Sequence, residues 1–125
     1  MTKVLFEDKW CEVTTEELII KCYYFPTGTS KKIKKEKIRA VYYEVQGAAG
    51  QMCKTKGWGM SLSPCWWACD LRRNWHSSSD PEHYNVVIDC GETLYKGFTV
   101  IDICTFRSQL QSIAPEAVFL NELPF

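Results

Sequence analysis

Long apolar runs are missing from this 125-residue chain. None approaches the roughly 20 residues of a membrane-spanning helix. The opening MTKVLFEDKW carries Glu7 and Asp8 where a secretory signal needs an uninterrupted apolar core. The expectation is therefore a soluble, cytoplasmic protein without a transmembrane segment. Net charge is missing too, because 15 Lys and Arg balance 15 Asp and Glu. That argues against a nucleic-acid partner, since affinity for a phosphate backbone rests on an excess of cations. Histidine is scarce, with only His76 and His83. No nucleophile elbow surrounds Ser77 to Ser79, no glycine loop opens a helix to cradle phosphate, and the acids are scattered. No catalytic constellation results, so the chain is expected not to be an enzyme and to need no cofactor. No internal repeat is visible either.

What is present is globular composition: 46% of residues are hydrophobic and 14% aromatic, which excludes a disordered or collagen-like chain. The length suits one domain, residues 1–125, with a core over about 4–113 and a C-terminal tail over 114–125. The seven cysteines are odd in number and mostly sit inside hydrophobic stretches. Without a secretory context they read as reduced, packed thiols. The balanced charge is unevenly spread. Residues 31 to 73 hold ten Lys and Arg against Glu36, Glu44 and Asp70, so one side of the molecule is expected to be basic and another acidic.

Period-two patterns dominate the first hundred residues. KVLFEDKWCEV reads as extended, TTEE as a turn, and LIIKCYYF as the returning strand, with Leu18, Ile20, Cys22 and Tyr24 on one face. PTGTS is a second turn. The lysine run then enters as a short strand around Ile33 and a polar bend, and IRAVYYEV follows as a further strand. QGAAGQMCKTKG, residues 46–57, has no period and reads as a mobile loop. WGMSLS, CWWACDLRRNW, YNVVIDC and LYKGFTV supply the remaining strand signals. From Asp102 the period changes to 3.6: Asp102 is a good N-cap, Ile103, Phe106, Leu110 and Ile113 form one apolar stripe, and Pro115 stops the helix.

This order of elements, with VTTEELIIKCYYFPTGTSKKIKKEKIRAVYYE near the start and GFTVIDICTFRSQL at the end, resembles the pleckstrin-homology (PH) superfold, nearer its bacterial PH-like and GRAM-type branches. The resemblance spans about Val4 to Ile113. It implies a mainly β protein: a small antiparallel PH-like barrel of about seven strands, two crossed sheets, capped by one C-terminal α-helix. Two departures mark a remote branch. The terminal helix offers Phe106 and Leu110 where the familiar domain has tryptophan. The loop matching the phosphoinositide signature is TTEE, without its basic residues.

Three groups of residues are candidates for a site. Lys31, Lys32, Lys34, Lys35 and Lys37, extended by Arg39 and by Lys54 and Lys56, could hold anionic headgroups at about 1 kcal/mol for each cation near a charged bilayer. The alternative is that these lysines protect an exposed strand edge from aggregation. Trp66 and Trp75 are candidates for contact with a protein partner, although such tryptophans commonly wall a core. Cys65, Cys69, His76 and His83 are weak zinc candidates, because C-x3-C-x6-H-x6-H matches no established zinc module. The reading that results is an interaction module that binds a protein partner through a strand edge or the tryptophan loop. Its alternative is a peripheral binder of anionic lipid or phosphoinositide headgroups at the lysine bend.

Overall fold

The computed structural model describes residues 2–24, 26–47, 54–61, 63–75 and 79–125. The candidate ligand His76 and residues 48–53 of the loop expected over residues 46–57 lie outside the described residues. Among the described residues two sheets and one C-terminal helix carry the fold, so the mainly β class holds, whereas no closed barrel forms. The first sheet runs β1 (Val4–Glu7), β2 (Cys11–Thr14), β3 (Glu17–Ile20), β4 (Lys31–Lys34), all antiparallel. The second is built from β5 (Ala40–Val45), β6 (Gly59–Met60), β7 (Cys65–Trp67), β8 (Tyr84–Asp89), β9 (Tyr95–Val100) and β10 (Val118–Leu120), in the order β10-β5-β8-β9-β7-β6. Two of its pairs, β7 with β9 and β10 with β5, are parallel. Neither sheet shares a strand with the other, because the single 3-10 turn Lys35–Lys37 breaks the ladder between β4 and β5.

Ten strands, not about seven, follow from short-range chemistry. KVLFEDKWCEV is split into β1 and β2 because Asp8 Oδ1 accepts from the Trp10 and Cys11 amides at 2.8 and 2.9 Å, closing an Asx-type turn. The TTEE turn forms as expected: Thr14 Oγ1 accepts from the amides of Glu16 and Glu17. LIIKCYYF stops short at Ile20, since Cys22 takes φ +50, a conformation a regular strand does not contain. The tail contributes β10, laid parallel to β5 with Val118 opposite Ala40.

Helix α1 (Ile103–Ile113) starts where Asp102 Oδ1 accepts from the Thr105 amide, and it ends before Pro115. Its buried Ile103, Phe106 and Leu110 close the main core between the sheets, where Phe106 meets Phe6 and Phe98 edge-on at 5.8 and 5.7 Å. Leu18, Ile20 and Ile33 enter that core from the first sheet, and Val41, Val86 and Ile88 from the second. Val87 has the opposite parity and faces a smaller cluster with Trp67, Leu123 and Phe125. The tail therefore covers the back of the second sheet, which explains why β8 is apolar on both faces. Gly97 is obligatory in this cluster. A Cβ there would lie 2.3 Å from Trp67 Cε3, and the two residues are register partners in the parallel pair.

Candidate functional site

Charge from residues 31 to 73 divides between two places. The first is buried. Arg73 is 3% exposed, and its guanidinium stacks 4.7 Å from the Trp67 ring. Its Nε donates to the Lys56 carbonyl at 3.0 Å, Nη1 to Asn85 Oδ1 at 2.8 Å and Thr99 Oγ1 at 2.9 Å, and Nη2 to the Ala68 carbonyl at 2.8 Å. Thr99 passes the charge on, donating to Asp70 Oδ2 at 2.6 Å. Burial pulls the Arg73 pKa down to about 10, against the opposing charge of Asp70, so the side chain stays a cation at neutral pH. Burial pushes the Asp70 carboxyl up, but hydrogen bonds from Thr99 and Gln46 and the charge of Arg73 outweigh it and hold the group below its usual value. Asn74, at φ +68, completes the knot: its side chain donates to Thr55 and accepts from Gly47 and Asn85. Asparagine tolerates that backbone better than most residues.

This knot fixes a turn that carries exposed groups. Leu71 is 75% exposed and Trp75 65%, flanking the buried Arg73. Beside them Lys9, Trp10, Arg72 and His83 line a 360 Å³ cleft that also takes in Cys69 and Leu71.

The second place is open. Lys31, Lys32 and Lys34 on the edge strand β4 and Lys37 of the 3-10 turn line one 300 Å³ cleft, closed on its far side by Cys90 and Glu92. A 210 Å³ cleft adjoins it, sharing Lys31 and Glu92 and walled by Tyr23, Tyr24, Trp66 and Lys96. Glu92 accepts from Lys96 Nζ at 2.9 Å and lies 3.6 Å from Lys31 Nζ. The hydrogen bond from Lys96, aided by the charges of Lys96 and Lys31, lowers its pKa despite partial desolvation. Five lysines thus line the two clefts: buried Lys96 is bound to Glu92 and to the Leu94 carbonyl at 2.6 Å, Lys31 lies beside Glu92, and Lys32, Lys34 and Lys37 are exposed. Tyr23 is buried, which pushes its phenol well up, and its carbonyl accepts from both Trp58 and Trp66 at 3.2 and 2.8 Å.

The structure therefore sorts the candidates. Lys31, Lys32, Lys34 and Lys37 come together. Lys35 turns to Glu16 at 3.7 Å, and with Arg39 it lines a separate cleft of 470 Å³ that includes Glu36 and Glu116. Lys56 belongs with Arg73 through its carbonyl. Trp66 walls the lysine cleft, whereas Trp75 projects from the turn. Cys65 is fully buried, burial pushes its thiol up, and His83 packs edge-on against Trp10 at 5.6 Å. Among the described residues no three His, Cys, Asp or Glu side chains gather to hold a metal ion. Lys96 and Glu92 escaped sequence reasoning. They lie sixty residues from the lysine run, and only the pairing of β7 with β9 beside the cleft brings them in. Nor is any helix among the described residues long and apolar enough to cross a membrane. The chain matches no family model, no curated protein and no solved structure.

Proposed function

We propose that this chain is a non-catalytic binding module whose lysine cleft takes a phosphorylated anionic headgroup. The observation that supports the reading is the gathering of Lys31, Lys32, Lys34 and Lys37 around one concavity with Glu92 as its only acid. A strand edge protected by lysines needs them only to point into water; here four line a cavity, and buried Lys96 in the adjoining wall holds Glu92 at 2.9 Å. At about 1 kcal/mol per lysine near an anionic surface, partly offset by Glu92, the cleft's charge supplies about 3–4 kcal/mol, which corresponds to millimolar affinity. A PH-like relationship belongs to the same proposal. It is supported by the element order and by the C-terminal helix packed against β1 and β2. One fold hosts many functions, so the cleft carries the functional argument.

The test is sedimentation with vesicles of phosphatidylcholine alone, with phosphatidylserine, and with a phosphoinositide, at low and physiological salt, with soluble inositol polyphosphate as competitor. Wild type should pellet with anionic vesicles less strongly as salt rises. The triple variant Lys32→Glu, Lys34→Glu, Lys37→Glu should not pellet, and Lys35→Glu should behave as wild type. Competition by the soluble polyphosphate separates headgroup recognition from general surface charge. Equal behaviour of wild type and the triple variant would sink the reading.

A second reading, contact with a protein partner, is favoured by Trp75 and Leu71 standing exposed on a turn that the buried Arg73 immobilises. Rigid aromatic and arginine side chains are the usual anchors of protein interfaces. The complementary segment is apolar and flanked by acids that meet Lys9 and Arg72. A purified partner whose calorimetric binding is lost in Trp75→Ala and kept in the lysine triple variant supports this reading over the first.

A further inference from the structure

Cys22 and Cys69 come from segments far apart in sequence, yet the Cys69 amide donates to the Cys22 carbonyl at 3.0 Å. Neither residue lies in a strand, but one N–H···O bond between their main chains keeps the Cα atoms on the order of 5–6.5 Å apart, within the span of about 4.4–6.8 Å that a disulfide bridges. The side chains are neighbours as well: after burial, the Cys22 thiol is the largest influence that raises the pKa of Cys69. Both residues are half-buried and so within reach of solvent, whereas Cys11, Cys65 and Cys90 are buried.

The backbone at Cys22 is held in an uncommon state. Its φ of +50 is in the left-handed region, which costs a non-glycine residue about 1 kcal/mol or more and persists only where the surroundings enforce it. Here the enforcement is visible: the carbonyl of Cys22 is bound by Cys69, and the next two amides, of Tyr23 and Tyr24, both donate to the Thr29 carbonyl at 3.0 Å. The Cys22 sulfur lies beside Gly28, where a Cβ would be at an ordinary contact distance of 3.7 Å. The turn thus fixes the Cys22 backbone against that of Cys69.

We infer that Cys22 and Cys69 form a reversible redox site that closes to an intramolecular disulfide when a low-molecular-weight disulfide of the glutathione type is supplied. In the first step one cysteine thiolate attacks a sulfur of the small disulfide, forming a protein mixed disulfide and releasing one small thiolate. The second cysteine thiolate attacks the protein sulfur of that mixed disulfide, forming the Cys22–Cys69 bond and releasing the second small thiolate. The two protons lost by the cysteines end on the two small thiols, so the protein loses two electrons and the small disulfide gains them. Excess dithiol reverses both steps. The bond ties the turn that carries Tyr23, whose carbonyl receives Trp58 and Trp66, to the segment that enters the Asp70–Arg73 knot. The inference stands on the backbone and thiol geometry and does not rest on the ligand of the lysine cleft.

The test uses the full reduced chain, treated with oxidised glutathione in mildly alkaline buffer, quenched with acid, alkylated, digested and mapped by mass spectrometry. The result expected is one cross-linked peptide joining Cys22 and Cys69, lighter by two hydrogen atoms, while exposed Cys104 carries the small thiol as a mixed disulfide. The thermal midpoint should rise by about 5 °C or more and fall back with dithiothreitol. Cys69→Ser should lose both the link and the rise while keeping the reduced midpoint of wild type. A map that joins other cysteines, a mixed disulfide at Cys22 or Cys69 that never resolves, or no cross-linked peptide from folded wild type would each overturn the inference. The wild-type map decides the matter even where Cys22→Ser or Cys69→Ser fails to fold.

Discussion

Arg73 and the lysines of β4 are both cations from one basic stretch, and the fold uses them in opposite ways. Around Arg73, carbonyls, amides and hydroxyls are arranged to take its N–H groups, with Asp70 one hydroxyl away. Its charge is consumed inside the molecule, where it immobilises a turn. In the lysine cleft Glu92 is the one acid beside Lys31, Lys32, Lys34 and Lys37, and Lys32, Lys34 and Lys37 are exposed. That charge remains available to a ligand. A count of basic residues cannot separate the two. The separation follows from whether polar partners are supplied before folding is complete, because a buried guanidinium without them costs several kcal/mol.

The strongest way to break the comparison is Arg73→Met. It removes the donor that Asn85 Oδ1, Thr99 Oγ1 and the Lys56 and Ala68 carbonyls share, together with the cation beside buried Asp70, and should cost about 3–5 kcal/mol, read as a fall in the midpoint of denaturant unfolding. Gly97→Ala attacks the same region by overpacking, forcing the Trp67 ring aside at a cost of about 1–3 kcal/mol in the same assay. In Glu92→Gln the two regions should respond differently. Removing the carboxylate that pairs Lys96 costs about 1 kcal/mol of stability, since Glu92 is half-exposed, while vesicle binding by the lysine cleft tightens. The smallest stability effect belongs to the triple lysine reversal, within about 0.5 kcal/mol for exposed side chains, although it abolishes sedimentation with anionic vesicles. A triple variant that unfolds as readily as Arg73→Met would erase the distinction.

Acid offers a further comparison. Asp70 and Glu92 both have pKa values held below the ordinary carboxylate range in the folded protein. A group lowered in this way adds stability that is fully present above its unfolded pKa, about 4, and is lost as pH falls through the folded value. Stability contributed by these two groups should therefore be level from neutral pH to about 5 and decline below about 4. Asp70→Asn should lower the neutral-pH plateau and flatten the acid decline, which a series of thermal midpoints against pH would display.

Much of the first sheet was legible because its reasons are local. The TTEE turn, the β2–β3 hairpin and the short lysine strand follow from turn chemistry and alternation, and Asp102 and Pro115 bound the helix. The second sheet was less legible. β6 has two residues and β7 three, too few for a period to register, and both parallel pairs join segments distant in the chain. The lysine run announced a basic surface without saying which of its members converge. Lys35 and Arg39 leave because the 3-10 turn rotates them toward the end of α1, and Lys96 arrives from β9.

By itself the sequence determined the mainly β class, the C-terminal amphipathic helix and the uneven charge, since period, caps and composition are properties of short stretches. Only the tertiary structure decided that the sheets stay separate and that Val87 faces a second cluster under the tail. It alone also decided that Arg73 is spent while Lys31 to Lys37 are partly free, and that Cys22 meets Cys69. Each of those outcomes depends on which distant atoms come within hydrogen-bonding or packing distance, and a one-dimensional pattern carries no such distance.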